Sequence, residues 1–270
     1  MSLAHSLSET LATAVSSPMR RATAKPVHKY AIEPRRAWTA FRRLIADKED
    51  TRQVFEIMRA LAGQSIPKGY ARMLKTTEGG RQAFLAEEFA DRLQDDAWLA
   101  SLPEGSVGAA YRAFIAPRGL SAYGLAEESR KLPDVEIDTP HPVAWYARRL
   151  RDVHDVWHVL TGYGTDALGE VCVVAFSYAQ TRTLGFALIA GGGALELQRG
   201  GSGWPYGKAV AQAYANGRRA EWLAPLDYEA LFLEPLEAAR ARLGIRPPTT
   251  YQSIPAEHRD GALGPIKLAA

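Results

Sequence analysis

Hydrophobic residues recur every three to four positions through most of the chain from about residue 34 onward, and alternating strand patterns are almost absent. Side chains with this spacing line one face of an α-helix and form its buried side. The first two stripes consist of Trp38, Phe41, Leu44 and Ile45, and then of Val54, Ile57, Met58 and Leu61. The pattern therefore predicts an all-α fold.

Three later segments continue the helical pattern. We expect a helix over 80–98, another after the turn at 102–106, and a third over 143–160. The buried face of the first is predicted to carry Phe84, Leu85, Phe89, Leu93 and Trp98. The stripe of the third consists of Tyr146, Ala147, Leu150, Val153, Trp157 and Leu160.

Two regions interrupt the periodicity. Residues 117–142 are rich in proline and acidic residues and predict a long surface connection, either a domain boundary or a lid over a site. Glycine clusters at 191–193 and 200–203 predict a mobile connection. Both regions are expected to lie at the surface.

The domain organisation follows from these patterns. We predict a flexible N-terminal tail over 1–33, a single helical domain over 34–250 and a C-terminal tail over 251–270. The first 30 residues also resemble a weak transit peptide, although they lack a clear amphipathic period.

Charge and cysteine content exclude several classes of function. With 33 basic and 30 acidic residues the net charge is only +3, which does not favour a nucleic-acid partner. The single cysteine excludes an internal disulfide and a zinc site built from several cysteines. Apolar runs fall short of the roughly 20 residues that a membrane span requires, so we expect a soluble or peripheral protein.

Candidate metal chemistry lies beside the stripe of the third helix. His154 and His158 are four residues apart, about 40° around a helix, so both imidazoles reach one side. Asp155 lies on the neighbouring flank as a third ligand or as a partner that orients a histidine. The glycine-rich turn 162–166 predicts an antiparallel helix hairpin that brings Glu170 to the height of His158. The four side chains suit zinc, iron, manganese or cobalt.

Each candidate also has a purely structural interpretation. Asp155 could pair with Arg151 one turn earlier, and Glu170 could favour the start of its own helix. Cys172 is expected to be a small core residue, and His141 is a further candidate ligand. Three arginines form a solvated helix face or, alternatively, an anion or phospholipid contact: Arg148, Arg149 and Arg151.

These motifs resemble the ubiquinone-biosynthesis family Coq4. The resemblance rests on Leu-Pro-Glu-Gly-Ser-Val-Gly at 102–108 followed by Tyr111, and on His154-Asp155-x-x-His158 with eleven residues before Glu170. It implies an all-helical protein with an apolar cavity and a divalent metal, usually zinc. The implied ligands are His154, Asp155, His158 and Glu170. From the chemistry of such a site we expect the first three to be the catalytic residues.

The resemblance also implies an activity and partners. The family is associated with removal of the ring carboxyl group from a polyprenylated quinone precursor derived from 4-hydroxybenzoate. It is also associated with hydroxylation at the same ring carbon. Implied partners are other ubiquinone-biosynthesis proteins and the membrane surface, and a homodimer is a further candidate. The implied location is the matrix side of a mitochondrion, or the cytoplasmic side of a bacterial inner membrane.

Other functions stay open at this stage. Ala109 and Ala110 replace the Arg-Glu that the family commonly carries before the tyrosine, so a divergent branch with another substrate is one hypothesis. A non-catalytic scaffold that binds a lipid intermediate would keep the metal fully enclosed by four ligands. A phosphohydrolase built on a His-Asp doublet is disfavoured, because His141 lies only 13 residues before His154.

Overall fold

A computed structural model describes residues 30–47, 50, 52–116, 139–199 and 201–263. These residues form fifteen α-helices and two short 3-10 turns, with no strand among them, which confirms the predicted all-α fold. In chain order the helices are α1 (Pro34–Ala46), α2 (Arg52–Leu61), α3 (Ser65–Met73), α4 (Thr77–Leu85), α5 (Phe89–Arg92), α6 (Asp96–Ser101), α7 (Val107–Ile115), α8 (Pro142–Asp152), α9 (His154–Thr161), α10 (Ala167–Thr181), α11 (Leu184–Gln198), α12 (Tyr206–Arg219), α13 (Tyr228–Leu233), α14 (Leu236–Arg242) and α15 (Thr249–Gln252).

The predicted surface connection lies outside the described residues from 117 to 138, and the predicted N-terminal tail lies outside them from 1 to 29. From Ile32 onward, the described residues form one compact unit. No helix in the described part of the chain is both long enough and apolar enough to cross a membrane.

Helix α10 forms the centre of the core. It packs mainly against α12 and α11, and it is apolar on nearly every side, as expected for a helix surrounded by others. Cys172 and Phe176 are fully buried within it. The prediction that Cys172 is a core residue is thereby confirmed. Because α10 also begins with the turn that carries Glu170, the core holds this candidate ligand in place.

The prediction of a single helix over 80–98 is wrong, because this segment contributes to three helices, α4, α5 and α6. Ala86 adopts φ 49°, in the left-handed region, and a right-handed helix cannot continue through that conformation. Asp95 then starts α6 by accepting a hydrogen bond from the Trp98 backbone N–H at 2.9 Å. Local backbone chemistry therefore overrides the hydrophobic period.

The breaks change which side chains of this segment are buried. Phe84 and Leu85, predicted on the buried face, are 88% and 42% exposed. Phe89 and Leu93 are buried as predicted, and Trp98 packs partly buried against the core. The prediction for the burial of Phe84 and Leu85 was wrong because α4 ends before the stripe can continue.

The helix predicted over 143–160 is present but divided. Val153, with ψ 3°, interrupts the helical conformation between α8 and α9. The predicted apolar stripe nevertheless stays largely buried, including Tyr146, Val153, Trp157 and Leu160.

The glycine cluster at 191–193 is not a mobile connection, because it lies inside α11. A Cβ on Gly192 would lie 2.0 Å from the Phe41 ring of α1, and one on Gly193 would lie 2.5 Å from Val171 of α10. Glycine is required at these positions because the neighbouring helices approach too closely for a side chain. Close packing therefore outweighs the low helix propensity of glycine.

The packed part of the chain extends beyond residue 250. Tyr251, Ile254 and Leu263 are buried, and the Tyr206 hydroxyl donates a 2.6 Å hydrogen bond to the carbonyl oxygen of His258. Residues in the 251–263 segment thus pack against the helices. The division of the chain into two tails and one domain stays a prediction.

Candidate metal centre

The candidate ligands lie on two consecutive helices. His154, Asp155 and His158 occupy α9, and Glu170 lies in the first turn of α10. This placement follows the sequence spacing, since residues four apart share a side of a helix.

The turn that joins the two helices is fixed by its own residues. Gly162 ends α9 with φ 76°, a left-handed conformation that glycine adopts without strain. Asp166 starts α10 because its carboxylate accepts the Gly169 backbone N–H at 2.8 Å. Both signals are local, which explains why the sequence predicts the turn correctly.

Three of the four predicted ligands converge. The Nε2 atoms of His154 and His158 lie 3.2 Å apart, and Oε2 of Glu170 lies 3.6 Å from the first and 3.4 Å from the second. Together these residues could hold a metal ion, and we call His154, His158 and Glu170 the candidate triad. A metal role for this helix pair stays a prediction.

The spacing of the candidate triad fits a small divalent ion. Metal–ligand bonds of about 2.0–2.1 Å in tetrahedral geometry place neighbouring ligand atoms about 3.3 Å apart. The three observed separations of 3.2, 3.4 and 3.6 Å match this value. Three protein ligands leave a fourth position for water or substrate, as in catalytic zinc sites.

The imidazole of His158 is held in place by two neighbouring groups. Its side chain is 1% exposed, and its Nδ1 lies 3.2 Å from the backbone carbonyl oxygen of Tyr163. If Nδ1 carries the proton and donates it to this carbonyl, the Nε2 lone pair faces Glu170. The Phe114 ring stacks on the imidazole at 5.5 Å and restricts its rotation.

The charges of the candidate triad are strongly coupled. Burial alone would raise the pKa of Glu170, but the facing imidazoles of His158 and His154 lower that pKa overall. Burial opposes the charged form of His158, yet the Glu170 carboxylate outweighs it and raises the pKa of the imidazole. The Glu170 carboxylate and the His158 imidazole therefore each favour the charged form of the other.

Asp155 does not join the candidate triad. At about 100° per residue it lies on the flank next to the side that His154 and His158 share, and it is not among the residues that converge there. Its predicted alternative partner, Arg151, places Nε 2.7 Å from a carboxylate oxygen of Asp152. Asp155 is 9% exposed and has no hydrogen-bond or ion-pair partner among the residues that the structure describes.

Asp155 nevertheless lies close enough to influence its neighbours. Burial is the main reason that the pKa of the Tyr111 hydroxyl is raised, and the charge of Asp155 adds to the effect. Burial lowers the pKa of His158, whereas Glu170 and, to a smaller extent, the charge of Asp155 raise it. Asp155 is thus a buried carboxylate beside the candidate triad rather than part of it.

A tyrosine from the C-terminal segment braces the turn between the helices. The Tyr251 hydroxyl donates to Asp166 Oδ2 at 2.5 Å and accepts the Gly164 backbone N–H at 3.0 Å. The other carboxylate oxygen of Asp166 caps α10. The Asp166 side chain therefore connects the Tyr251 hydroxyl to the first turn of α10.

Arg240 of α14 performs a similar task at the end of α9. Its Nε donates to the carbonyl oxygen of Leu160 at 2.9 Å, and its Nη2 donates to that of Val159 at 2.8 Å. These carbonyls belong to the last turn of α9, where no helical N–H remains to pair with them. A cation there also complements the negative end of the helix.

An open groove of about 460 Å³ adjoins the candidate triad at His158. Apolar residues line part of it, and Arg240, Arg259 and Tyr251 line another part. The remaining lining residues are Ala110, Phe114, Val159, Gly162, Tyr163, Gly164, Leu236 and Gln252.

Two other residues that the sequence analysis considered near the metal chemistry, His141 and Cys172, have structural roles. His141 is exposed and caps α8, where its Nδ1 accepts the Val143 backbone N–H at 3.2 Å, and it is not part of the candidate triad. Cys172 is buried, and burial raises the pKa of its thiol well above the ordinary value.

The three arginines of α8 do not form a solvated face. Arg149 is 4% exposed and donates to the carbonyl oxygens of Ala224 and Leu226. Arg148 contacts Glu88 at 2.5 Å, and Arg151 is paired with Asp152. The prediction was wrong because Arg149 and Arg148 bind partners that are distant in sequence, which the local pattern cannot show, and Arg151 pairs with the adjacent Asp152.

Sequence reasoning missed the residues that hold the site. Tyr251 and Arg240 lie about 80 residues from the groups they bond, and Phe114 and Tyr163 looked like ordinary core and turn residues. The Tyr163 hydroxyl is buried without a hydrogen-bond partner among the described residues. Only the glycine-rich turn that contains Tyr163 gave a local signal.

Comparison with known proteins gives consistent relatives. A rat protein described as ubiquinone biosynthesis protein COQ4 homolog, mitochondrial, is 36% identical over 153 residues, which cover 57% of this chain and 55% of the rat protein. The human protein of the same description is 33% identical over 157 residues, covering 57% and 55%. The chain spans about half the length of the curated relatives it matches.

A solved structure agrees in fold. The crystal structure of a protein from Nostoc punctiforme assigned to ubiquinone biosynthesis superposes with a TM-score of 0.59 at 20% identity. The match covers 80% of this chain and all of that chain, and at this identity it supports the fold alone.

Residues 35–249 match the model of the family described as Coenzyme Q (ubiquinone) biosynthesis protein Coq4. This match covers well over half of the chain and confirms the resemblance that the Pro-Glu-Gly-Ser turn and the His-Asp-x-x-His spacing indicated. The chain belongs to the Coq4 family of ubiquinone biosynthesis proteins.

Proposed function

We propose that this protein is a metal-dependent enzyme that removes the ring carboxyl group from a polyprenylated 4-hydroxybenzoate-derived intermediate of ubiquinone biosynthesis. The observation that carries the proposal is the convergence of His154, His158 and Glu170 at separations that suit a divalent ion with one open position. Family membership supports the pathway.

A divalent metal, zinc first and otherwise iron, manganese or cobalt, would supply a Lewis acid that stabilises the charge developing on the ring as carbon dioxide leaves. The candidate triad would hold it through two imidazole nitrogens and one carboxylate oxygen. The Tyr163 carbonyl oxygen and the Phe114 ring keep His158 in its ligand orientation. These residues act by positioning.

Asp155 is the proposed proton-transfer residue. When the bond between the ring and the carboxyl group breaks, its electron pair stays on the ring carbon, and a proton must replace the lost group. The buried carboxyl group of Asp155 lies beside the candidate triad, without another partner in the described part of the chain. In its protonated form it can deliver this proton, and a proton from water then restores it. The proposal keeps Asp155 catalytic but removes it from the ligand set.

The groove beside His158 is the proposed binding site for the ring. Its volume of about 460 Å³ lies in the range of about 300–1,000 Å³ typical of small-molecule sites. Phe114 and Leu236 offer apolar surface to an aromatic ring.

The test is carbon dioxide release from a solubilised prenylated substrate labelled in its carboxyl group, with dioxygen present. Wild-type protein should release label with at least one of zinc, iron, manganese or cobalt. Asp155→Asn should keep the metal and lose most turnover, whereas the exposed Asp96→Asn should behave like wild type. Absence of release with all four metals would favour the alternative, a non-catalytic scaffold that binds the lipid intermediate.

The proposed partners follow from the same chemistry. They are the polyprenylated precursor, other ubiquinone-biosynthesis proteins and a membrane surface, with a homodimer as a further candidate and no nucleic acid. The relatives are named mitochondrial, which supports the matrix side of a mitochondrion if the chain is eukaryotic. In a bacterium the corresponding place is the cytoplasmic side of the inner membrane.

Helix α1 is the proposed membrane contact, in place of the arginines of α8. Arg35, Arg42 and Arg43 are exposed and have no ion-pair partner in the described ranges, and Trp38 beside them is 55% exposed. Basic residues attract anionic head groups, and tryptophan favours the interface. Vesicle sedimentation should show binding at low salt that Arg42→Gln with Arg43→Gln reduces. Equal binding of the two proteins would contradict the proposal.

A further inference from the structure

A second cavity lies away from the candidate triad, between α3, the junction of α10 and α11, and Tyr146 of α8. Its volume is about 350 Å³. Gln180, which lines it, is ten residues beyond Glu170 on α10, a distance of about 15 Å along the helix axis. The cavity is therefore separate from the site described above.

The lining of this cavity is positively charged. Lys68, Arg72 and Arg182 contribute to it, and among the residues that the structure describes no aspartate or glutamate does. Lys68 and Arg72 lie four residues apart on α3, so they share a side of that helix, and neither has an acidic partner among the residues that the structure describes. Two unpaired cations at one cavity attract an anion.

Arg72 and Arg182 are both held in defined positions. The guanidinium of Arg72 lies 3.9 Å from the centre of the Trp222 ring, a cation–π contact that leaves its N–H groups available. Arg182 ends α10 with φ 61°, where glycine is the usual residue, and it donates to the Tyr214 hydroxyl at 3.3 Å. A guanidinium fork matches the oxygens of a carboxylate or a phosphate.

Two neutral donors also lack partners here. Trp222 Nε1 is buried with no hydrogen-bond acceptor in the described part of the chain. Tyr146 is 1% exposed, lines the cavity and has no hydrogen bond from its hydroxyl to any described residue. Both groups can therefore donate to an acceptor that enters the cavity.

The opposite part of the lining is apolar. Ile32, Leu61 and Leu184 line it, and Ile32 and Leu184 are 48% and 42% exposed. Exposed aliphatic side chains next to cations suit a ligand with an anionic head and an apolar body. Inorganic phosphate would leave this surface in contact with water.

We infer that this cavity binds an amphiphilic organic anion, with a carboxylate or phosphate head at Lys68 and Arg72 and an apolar body against Leu61 and Leu184. The head group could belong to a soluble metabolite or to a membrane lipid. This inference is independent of the proposed metal chemistry, since no residue of the candidate triad contributes to the cavity.

The test is calorimetric titration of the full chain with octyl phosphate, with inorganic phosphate and octanol as head-only and tail-only ligands. Wild type should bind octyl phosphate at least tenfold more tightly than either. The double variant Lys68→Gln with Arg72→Gln should lose at least tenfold in affinity. The control Lys208→Gln with Arg246→Gln removes the same charge at exposed positions outside the cavity, and it should bind like wild type.

Equal affinity of the double variant and wild type, or no binding of octyl phosphate, would overturn the inference. Binding of inorganic phosphate as tightly as octyl phosphate would overturn the amphiphilic part. Vesicles containing phosphatidic acid distinguish the two sources. Weaker vesicle binding by the double variant than by its control supports a lipid head group, whereas equal vesicle binding together with the calorimetric loss supports a soluble anion.

Discussion

His158 Nδ1 lies 3.2 Å from the backbone carbonyl oxygen of Tyr163. Because Tyr163 belongs to the turn between α9 and α10, the same turn that brings Glu170 towards the imidazole also sets the orientation of the ring. A neutral histidine with a proton on Nδ1 presents Nε2 as a ligand. Local chain geometry thus prepares the candidate triad for a cation.

Metal affinity should rise with pH. The pKa of His158 is raised above its ordinary value of 6.5, so the imidazole keeps its proton to a higher pH. A metal must displace that proton. We expect the affinity for zinc, measured by competition with a chelator, to increase from pH 6 to pH 8. An affinity independent of pH over this range would show that His158 is not a ligand.

The metal-free protein should respond to pH in the opposite direction. The raised pKa of His158 gives stability that is present below pH 6.5 and is lost as pH rises through the folded-state pKa. The lowered pKa of Glu170 gives stability that is present above its ordinary value of 4.5 and is lost as pH falls towards the folded-state pKa. Urea unfolding of chelator-treated protein should therefore show greater stability near pH 5.5 than near pH 8. A maximum near pH 8 would contradict this coupling.

Removing the Tyr251 hydroxyl should loosen the turn. Tyr251→Phe deletes the hydrogen bond to Asp166 and those from Gly164 and Arg259, two of which involve charged groups. We therefore expect a loss of about 1–3 kcal/mol in the free energy of unfolding. Tyr70→Phe is the control, since the Tyr70 hydroxyl has no hydrogen bond to any described residue. Equal unfolding midpoints for the two variants would rule out the brace.

Arg240 should matter more than another arginine on the same helix. Arg240→Ala leaves the carbonyl oxygens of Val159 and Leu160 without their donor and should cost about 1.5–3 kcal/mol. Arg242 forms a more exposed pair with Glu234, and its replacement by alanine should cost about 0–1 kcal/mol. Denaturant unfolding of both variants gives the comparison. Similar losses would indicate that Arg240 is only a surface charge.

Adjacent glycines of α11 should respond oppositely to alanine. Gly192→Ala places a Cβ 2.0 Å from the Phe41 ring and should destabilise the fold by about 1–3 kcal/mol. A Cβ on Gly191 meets nothing within 4 Å, so Gly191→Ala should stabilise the helix by up to about 1 kcal/mol. The midpoints of thermal unfolding of the two variants test this prediction. Destabilisation by both substitutions would show that the helix needs glycine for another reason.

The parts of the structure that the sequence predicts are local. The period of three to four predicts the helices, and the spacing of His154 and His158 places both imidazoles on one side of α9. Glu170 was predicted from the length of the turn, and the structure brings it to the pair. Chain-local information is sufficient for these features.

The parts that it does not predict depend on distant contacts or on single backbone conformations. Arg149 looked solvated because its acceptors, the carbonyl oxygens of Ala224 and Leu226, lie more than 70 residues away. Ala86 looked helical because nothing in its side chain indicates a left-handed φ. The metal role of Asp155 stays a prediction, because spacing gives its position on the helix but not its partners.

The most direct test of the account is the metal content of His158→Ala, measured by elemental analysis after purification without chelators. His141→Ala is the matched control, because His141 is exposed and caps a helix outside the candidate triad. We predict one divalent metal ion per chain in the wild type and the control, and the loss of most of it in His158→Ala with the helical circular dichroism retained. Full metal occupancy in His158→Ala would contradict the account.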